Sequence, residues 1–92
     1  MYVISVKRVR DSRGNILDNN TDNWEFVCIN SLQNFPYWGT RYSAMKFTTK
    51  ESAENYFYSN RGKLLNRSIM AECDMSTLAV RRVTYMIASK LN

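Results

Sequence analysis

Apolar and polar side chains alternate over the first positions of the chain. Tyr2, Ile4 and Val6 fall on one side of an extended backbone, and Val3, Ser5, Lys7 and Val9 on the other. Successive side chains of a strand point to opposite faces, and β-branched residues favour that geometry. The pattern predicts a strand over Tyr2–Arg10, closed by the turn formers Asp11, Gly14 and Asn15. The run ILDNNTDN, with Asp18, Asn19, Asn20 and Asp22 close together, predicts a polar loop and the mobile piece of the chain. A second strand is predicted over Trp24–Leu32. Trp24, Phe26 and Cys28 share one face, and Glu25, Val27 and Ile29 the other. Antiparallel pairing with the first strand is the simplest connection.

The alternation then breaks. Pro36 lacks a ladder donor and Gly39 adds backbone freedom, so Phe35–Gly39 is not a regular central strand. The expectation is a turn or an irregular edge segment leading into a short strand at Tyr42–Phe47. Period two gives way to a helical period in TTKESAENYFYSNRG. Ala53, Tyr56 and Phe57 form one apolar stripe. Thr48 and Glu51 fit a capping box, with Thr49 as a competing cap. Glu51 and Glu54 lie early, Arg61 and Lys63 late, and Gly62 fits the residue after the last turn. A helix over Lys50–Asn60 follows. KLLNRSIMAEC is mixed, either a second short helical turn or a packed loop, and Asp74–Ser76 breaks it. Thr77–Ser89 is read as the last strand. Both its faces are apolar, which suits a central position, and helix is the alternative.

The order β-β-(β)-α-β predicts an α+β fold: a small antiparallel β-sheet of three or four strands with one main helix packed on a face. Ninety-two residues make one domain, 1–92. With 45% hydrophobic and 13% aromatic residues, the chain has the means to build a core.

The absence of histidine removes the commonest general base and the usual zinc sets. Glu25, Glu51, Glu54 and Glu72 all have quieter roles on strands or helices. Asp18 and Asp22 lack the spacing and closing glutamate of a calcium loop. The Arg-Gly steps are not phosphate loops. No enzyme activity, metal or cofactor is expected. Cys28 and Cys73 are read as buried free thiols ahead of a single disulfide. The N-terminus MYVISVKRVR is apolar and then basic, the reverse of a signal peptide, and no apolar run approaches the roughly 20 residues of a membrane span. A cytoplasmic chain with no membrane partner is expected.

A net charge of +5 favours anionic partners. Lys7, Arg8, Arg10 and Arg13 lead out of the first strand, and Arg81 and Arg82 sit in the last. Were those strands neighbours, Lys7 and Arg81 or Arg8 and Arg82 would stand side by side, an arrangement that costs stability. Lys7, Arg8, Arg10, Arg81 and Arg82 are therefore candidate contacts to nucleic acid or an acidic partner. Equally, they pair with Glu25, Asp11 and Asp74, or protect an edge. Phe26, Phe47, Tyr56 and Phe57 are read as core, and Tyr2 and Trp24 as core or half-buried. Tyr37, Trp38, Arg41 and Tyr42 beside the Pro/Gly turn form a candidate contact centre, since Trp, Tyr and Arg dominate interface hot spots and stack bases. The alternative is a loop that folds over the sheet and buries Trp38. An RNA-recognition module is disfavoured, because the first strand offers only Tyr2.

The run YSAMKFTTKESAENYF, residues 42–57, resembles a pattern in small accessory proteins of phages and other mobile elements. There a strand with an Ala-x-x-Phe element, here Ala44 and Phe47, enters a capped Thr-x-Glu-x-Ala helix, here Thr49, Glu51 and Ala53, with aromatics such as Tyr56 and Phe57 behind. The chain's high asparagine content is similar to that of AT-rich phage genomes. The resemblance implies a non-catalytic, host-cytosol accessory protein that binds and inhibits a host factor, a defence or toxin component that handles nucleic acid. Direct binding of RNA or DNA, RNA ahead of DNA, is the alternative, and a homodimer is a side expectation.

Overall fold

The computed structural model describes residues 1–18 and 22–83. The alternating N-terminal run becomes β1 (Tyr2–Arg8), and the second becomes β2 (Trp24–Asn30). β3 (Phe35–Gly39) and β4 (Cys73–Arg82) complete one antiparallel sheet of order β3-β2-β1-β4. Val3 to Val6 are all buried, as a central strand covered on both faces requires. Helix α1 (Lys50–Ser59) and the short helices α2 (Arg61–Leu64) and α3 (Arg67–Glu72) lie between β3 and β4 in the chain. The fold is α+β: a small antiparallel sheet with one main helix and two short ones.

Several local expectations are corrected. FPYWG is a regular strand after all, paired with β2 from Phe26↔Gly39 to Asn30↔Phe35. It lies at the sheet edge, where a proline is tolerated because only one side is laddered. Tyr42–Phe47 is not a strand. Arg41–Ser43 make a 3₁₀ turn, and the chain then wedges between the diverging ends of β1 and β2. Met45 N–H donates to Val27 O at 2.9 Å, and Phe47 and Tyr2 exchange backbone bonds at 2.8 Å. β4 is an edge strand, not a central one. It starts at Cys73 and absorbs Asp74–Ser76, the expected break, into a bulge. Ser5 opposes Ala79 and Lys7 opposes Asp74, so β4 advances five residues while β1 advances two. Residues 84–89 of the expected last strand lie outside the described residues, as do residues 19–21 of the loop expected to be mobile.

The cap of α1 is Thr49, not Thr48. Its hydroxyl accepts from Ser52 N–H at 3.0 Å, and Ser52 Oγ accepts from Thr49 N–H. Gly62 does not terminate the helix. Asn60 does, with Nδ2 donating to Tyr56 O at 2.9 Å, and Gly62 falls inside α2. The mixed segment is helical as α3, capped by Asn66 Oδ1 on Ile69 N–H at 3.0 Å.

On one face of the sheet, Ile4 and Val27 pack with Phe47, Ala53 and Leu64, and Val6 packs with Ile69 and Cys73. Burying each large aliphatic side chain contributes roughly 1.5–3 kcal/mol. On the other face, Val3, Phe26, Ala44 and Val83 form a smaller cluster with Trp24 against it. Cys28 and Cys73 are buried free thiols. Among the described residues, no helix is long and apolar enough to cross a membrane.

Candidate functional site on the open sheet face

The three helices occupy the face of Ile4, Val6 and Val27. The opposite face is set by register. Ser5 stands between Phe26 and Ala79, Lys7 opposes Trp24, Val3 opposes Arg81, and Cys28 opposes Tyr37. Among the described residues, α1, α2 and α3 leave this face uncovered, and its aromatic rings are roofed by cations. The Arg81 guanidinium lies 4.5 Å from the Trp24 ring centroid, and that of Arg41 lies 5.0 Å from the Phe26 centroid. Such stacking contributes about 0.5–2 kcal/mol and fixes the plane of the guanidinium.

Arg81 is half-buried and held at three points. Nη1 donates to Ser5 O at 3.1 Å and to Ser5 Oγ at 2.9 Å, and Nη2 donates to Thr77 O at 2.7 Å. The bulge of β4 makes this clamp. Thr77 lies in the looped-out stretch, with its hydroxyl accepting the Lys7 N–H at 2.8 Å and its carbonyl turned to Arg81. All the acceptors of Arg81 are neutral. Among the described residues, no carboxylate lies within ion-pair distance of it.

Arg41 is anchored by Asp22, whose Oδ2 accepts from Nε at 3.1 Å and from Nη2 at 2.9 Å. Beside it, Tyr42 is 91% exposed. Tyr37 is 45% exposed, and its ring lies across Gly39. A Cβ at Gly39 would sit 3.0 Å from both Cys28 Sγ and Tyr37 Cε2, so the glycine permits this close approach. Burial pushes the Cys28 thiol pKa up. Between Arg81 and Arg41 is a cavity of about 220 Å³ with Val3, Ser5, Trp24, Phe26, Arg82 and Val83 in its wall. A second hollow of about 310 Å³, bordered by Asp22, Glu25, Gly39, Thr40 and Tyr42, shares Trp24 and Arg41 with it.

The expected contact residues divide. Tyr37 stands opposite Cys28 on the open face, Arg41 and Tyr42 share the hollow beside Trp24, and Arg81 and Lys7 lie farther across the sheet. Trp38 belongs to the helix-covered face. Its Nε1–H donates to Leu64 O at 2.9 Å, and its ring packs against both helix-side clusters, so it is a core plug. Arg8 is neutralised by Glu25 at 3.1 Å and by Glu72. Arg10 is exposed in the first turn, with Nη1 on Gly14 O at 3.3 Å. β1 and β4 are neighbours, but their antiparallel register places Arg81 beside Val3, Arg82 beside Tyr2, Lys7 beside Asp74 and Arg8 beside Cys73. The cations expected side by side are therefore apart.

Trp24, Phe26 and Ser5 were not among the residues the sequence pointed to. The signal existed, because Trp24 and Phe26 share a face, yet β2 is apolar on both faces and nothing local says which one the helices cover.

Comparison with known proteins gives no family model, no curated relative and no solved structure that matches this chain.

Proposed function

We propose that this chain is a non-catalytic binding protein that takes single-stranded nucleic acid, RNA first, across the open face of its sheet. The observation that carries the reading is Arg81, a fixed guanidinium beside Trp24 with only neutral acceptors. Tyr42 and Tyr37 offer ring surface nearby, and stacking a base on such a ring contributes about 1–3 kcal/mol. The net charge of +5 supplies the long-range attraction.

Fluorescence anisotropy tests it with labelled ten-nucleotide RNA and DNA single strands and a DNA duplex, at about 50 and 200 mM salt. The expected result is binding to single strands that weakens by orders of magnitude between those salts, through counterion release. An absence of binding at the lower salt overturns the reading.

A second reading follows the phage-accessory resemblance: stoichiometric inhibition of a host factor that handles nucleic acid. Its support is the β2–β3 hairpin tip, where Leu32 is 96% exposed and Phe35, with Lys63 Nζ 5.4 Å from its ring centroid, is 46% exposed. Capture of a host protein that is lost in Leu32→Ser favours it, and capture unaffected by Leu32→Ser argues against this tip.

A further inference from the structure

We infer that the cavity between Arg81 and Arg41 is a phosphate site, which seats one phosphoryl group of the nucleic-acid strand with Arg81 donating to its oxygens and Arg41 adding positive charge at the opposite wall. The inference deepens the nucleic-acid reading and rests on it for the identity of the strand.

Charge balance is the first argument. A half-buried guanidinium ordinarily meets a carboxylate, because desolvating a charge without a counter-ion is costly. Arg81 instead meets Ser5 O, Ser5 Oγ and Thr77 O, which orient it without neutralising it. Those bonds use only Nη1 and one donor of Nη2, so Nε–H and the other Nη2–H have no acceptor among the described residues. Arg41 adds a second cation to the wall, while Arg82, beside Tyr2 in the register, falls on the helix-covered face. Asp22 engages Arg41 on its own side, so the wall keeps a positive excess.

The second argument is preorganisation. Trp24 on one face and the Ser5 and Thr77 acceptors hold the guanidinium in one plane before any ligand arrives. Donors fixed in advance lose less freedom on binding. The apolar part of the wall, Val3, Phe26 and Val83, lowers the local dielectric and strengthens each charge-assisted bond.

Size is the third. At about 220 Å³ the cavity is below the roughly 300–1,000 Å³ that takes a drug-sized molecule or cofactor. It accommodates a phosphoryl group and part of what is attached to it. A tetrahedral phosphate presents oxygens in several directions, which suits cations on opposite walls, Arg81 and Arg41, better than a planar carboxylate does.

The test pairs two readouts. ¹H–¹⁵N spectra follow the Trp24 indole and Arg81 Nε–H signals during titration with a ten-nucleotide RNA, uridine 5′-monophosphate, inorganic phosphate and a ten-residue glutamate peptide. Anisotropy gives the salt dependence of RNA binding for wild type, Arg81→Gln and Arg41→Gln. Arg41 sits in the 3₁₀ turn outside the sheet, so its replacement keeps the test valid if Arg81→Gln unfolds. The expected result is that RNA shifts both signals, and that each variant binds several-fold more weakly with a log–log salt slope smaller by about 1. RNA binding with wild-type slope in both variants overturns the phosphate site and leaves the nucleic-acid reading standing. Shifts by the monophosphate and inorganic phosphate without RNA binding support the phosphate site, assign it a free phosphate source, and overturn the strand reading. Shifts by the glutamate peptide alone, or by none of the four, overturn both.

Discussion

The two faces of one sheet are filled by opposite means. On the helix-covered face, hydrocarbon from α1, α2 and α3 closes over Ile4, Val6 and Val27, and the Trp38 indole bonds to the Leu64 carbonyl inside that layer. On the open face, the cluster around Val3 and Phe26 is roofed by two guanidinium groups. Hydrocarbon cover is favourable in its own right. A cationic cover has a desolvation cost and leaves polar donors at the surface. The difference teaches where to look for a ligand: on the face whose cover is the more expensive one and can itself make further bonds.

The two tryptophans offer the sharpest way to break this comparison. Trp38→Ala should destabilise the fold by about 3–5 kcal/mol, as large-to-small changes in a core do. That is a large fraction of the roughly 5–15 kcal/mol of a typical domain. Urea unfolding measures it, and a cost under about 1 kcal/mol would mean that the helix-covered face is not the structural one. Trp24→Ala, half-buried on the open face, should cost about 2 kcal/mol in the same experiment and weaken ligand binding in anisotropy. If it costs as much as Trp38→Ala, both faces are equally structural. A smaller effect concerns the cover itself. Thr49→Ala removes the cap of α1 and should cost about 1 kcal/mol, read from the urea midpoint, with RNA affinity unchanged in the folded protein. A loss of affinity there would show that the helices contribute to binding.

The smallest expected effects come from pH. The Asp74 carboxyl is held low chiefly by the Ser76 hydroxyl and N–H, and that of Asp11 chiefly by the Asn15 N–H. A depressed carboxyl adds stability above its unfolded pKa of roughly 3.9 and loses it as pH falls through the folded value. Burial raises Cys28 on the open face and Cys73 on the helix side. A raised thiol adds stability below its unfolded pKa of roughly 8.5 and loses it as pH rises through the folded value. The urea midpoint should be flat from about pH 5 to pH 8 and fall on both sides. Asp74→Asn should flatten the acid limb, and an unchanged acid limb would refute its part in it.

Much of the fold was legible in the chain. β1 and β2 follow from period two and α1 from its apolar stripe. The edge position of β3 was legible from Pro36, but its regular pairing was not, because an edge strand can be laddered in full on one side despite a proline. The helical nature of Arg61–Glu72 was obscured because both pieces are short and depend on Asn60 and Asn66 for their ends. β4 read as central because its residues are apolar on both faces, yet Val80 faces the helices while Arg81 folds over Trp24. Of the site, Tyr37, Arg41, Tyr42, Lys7 and Arg81 were legible as chemistry-bearing residues. Their neighbours were not, because who stands beside whom depends on a register that the β4 bulge displaces. Trp38 drew attention for its type, while its indole is used inside the core.

The two outer strands have one further consequence. β3 has a proline in it and β4 a bulge, so among the described residues neither rim of the sheet offers an unbroken row of backbone groups. Fibrils grow when flat, uninterrupted strands template copies of themselves. Crowded copies of such a sheet meet at rims that are not straight, which works against one copy seeding the next.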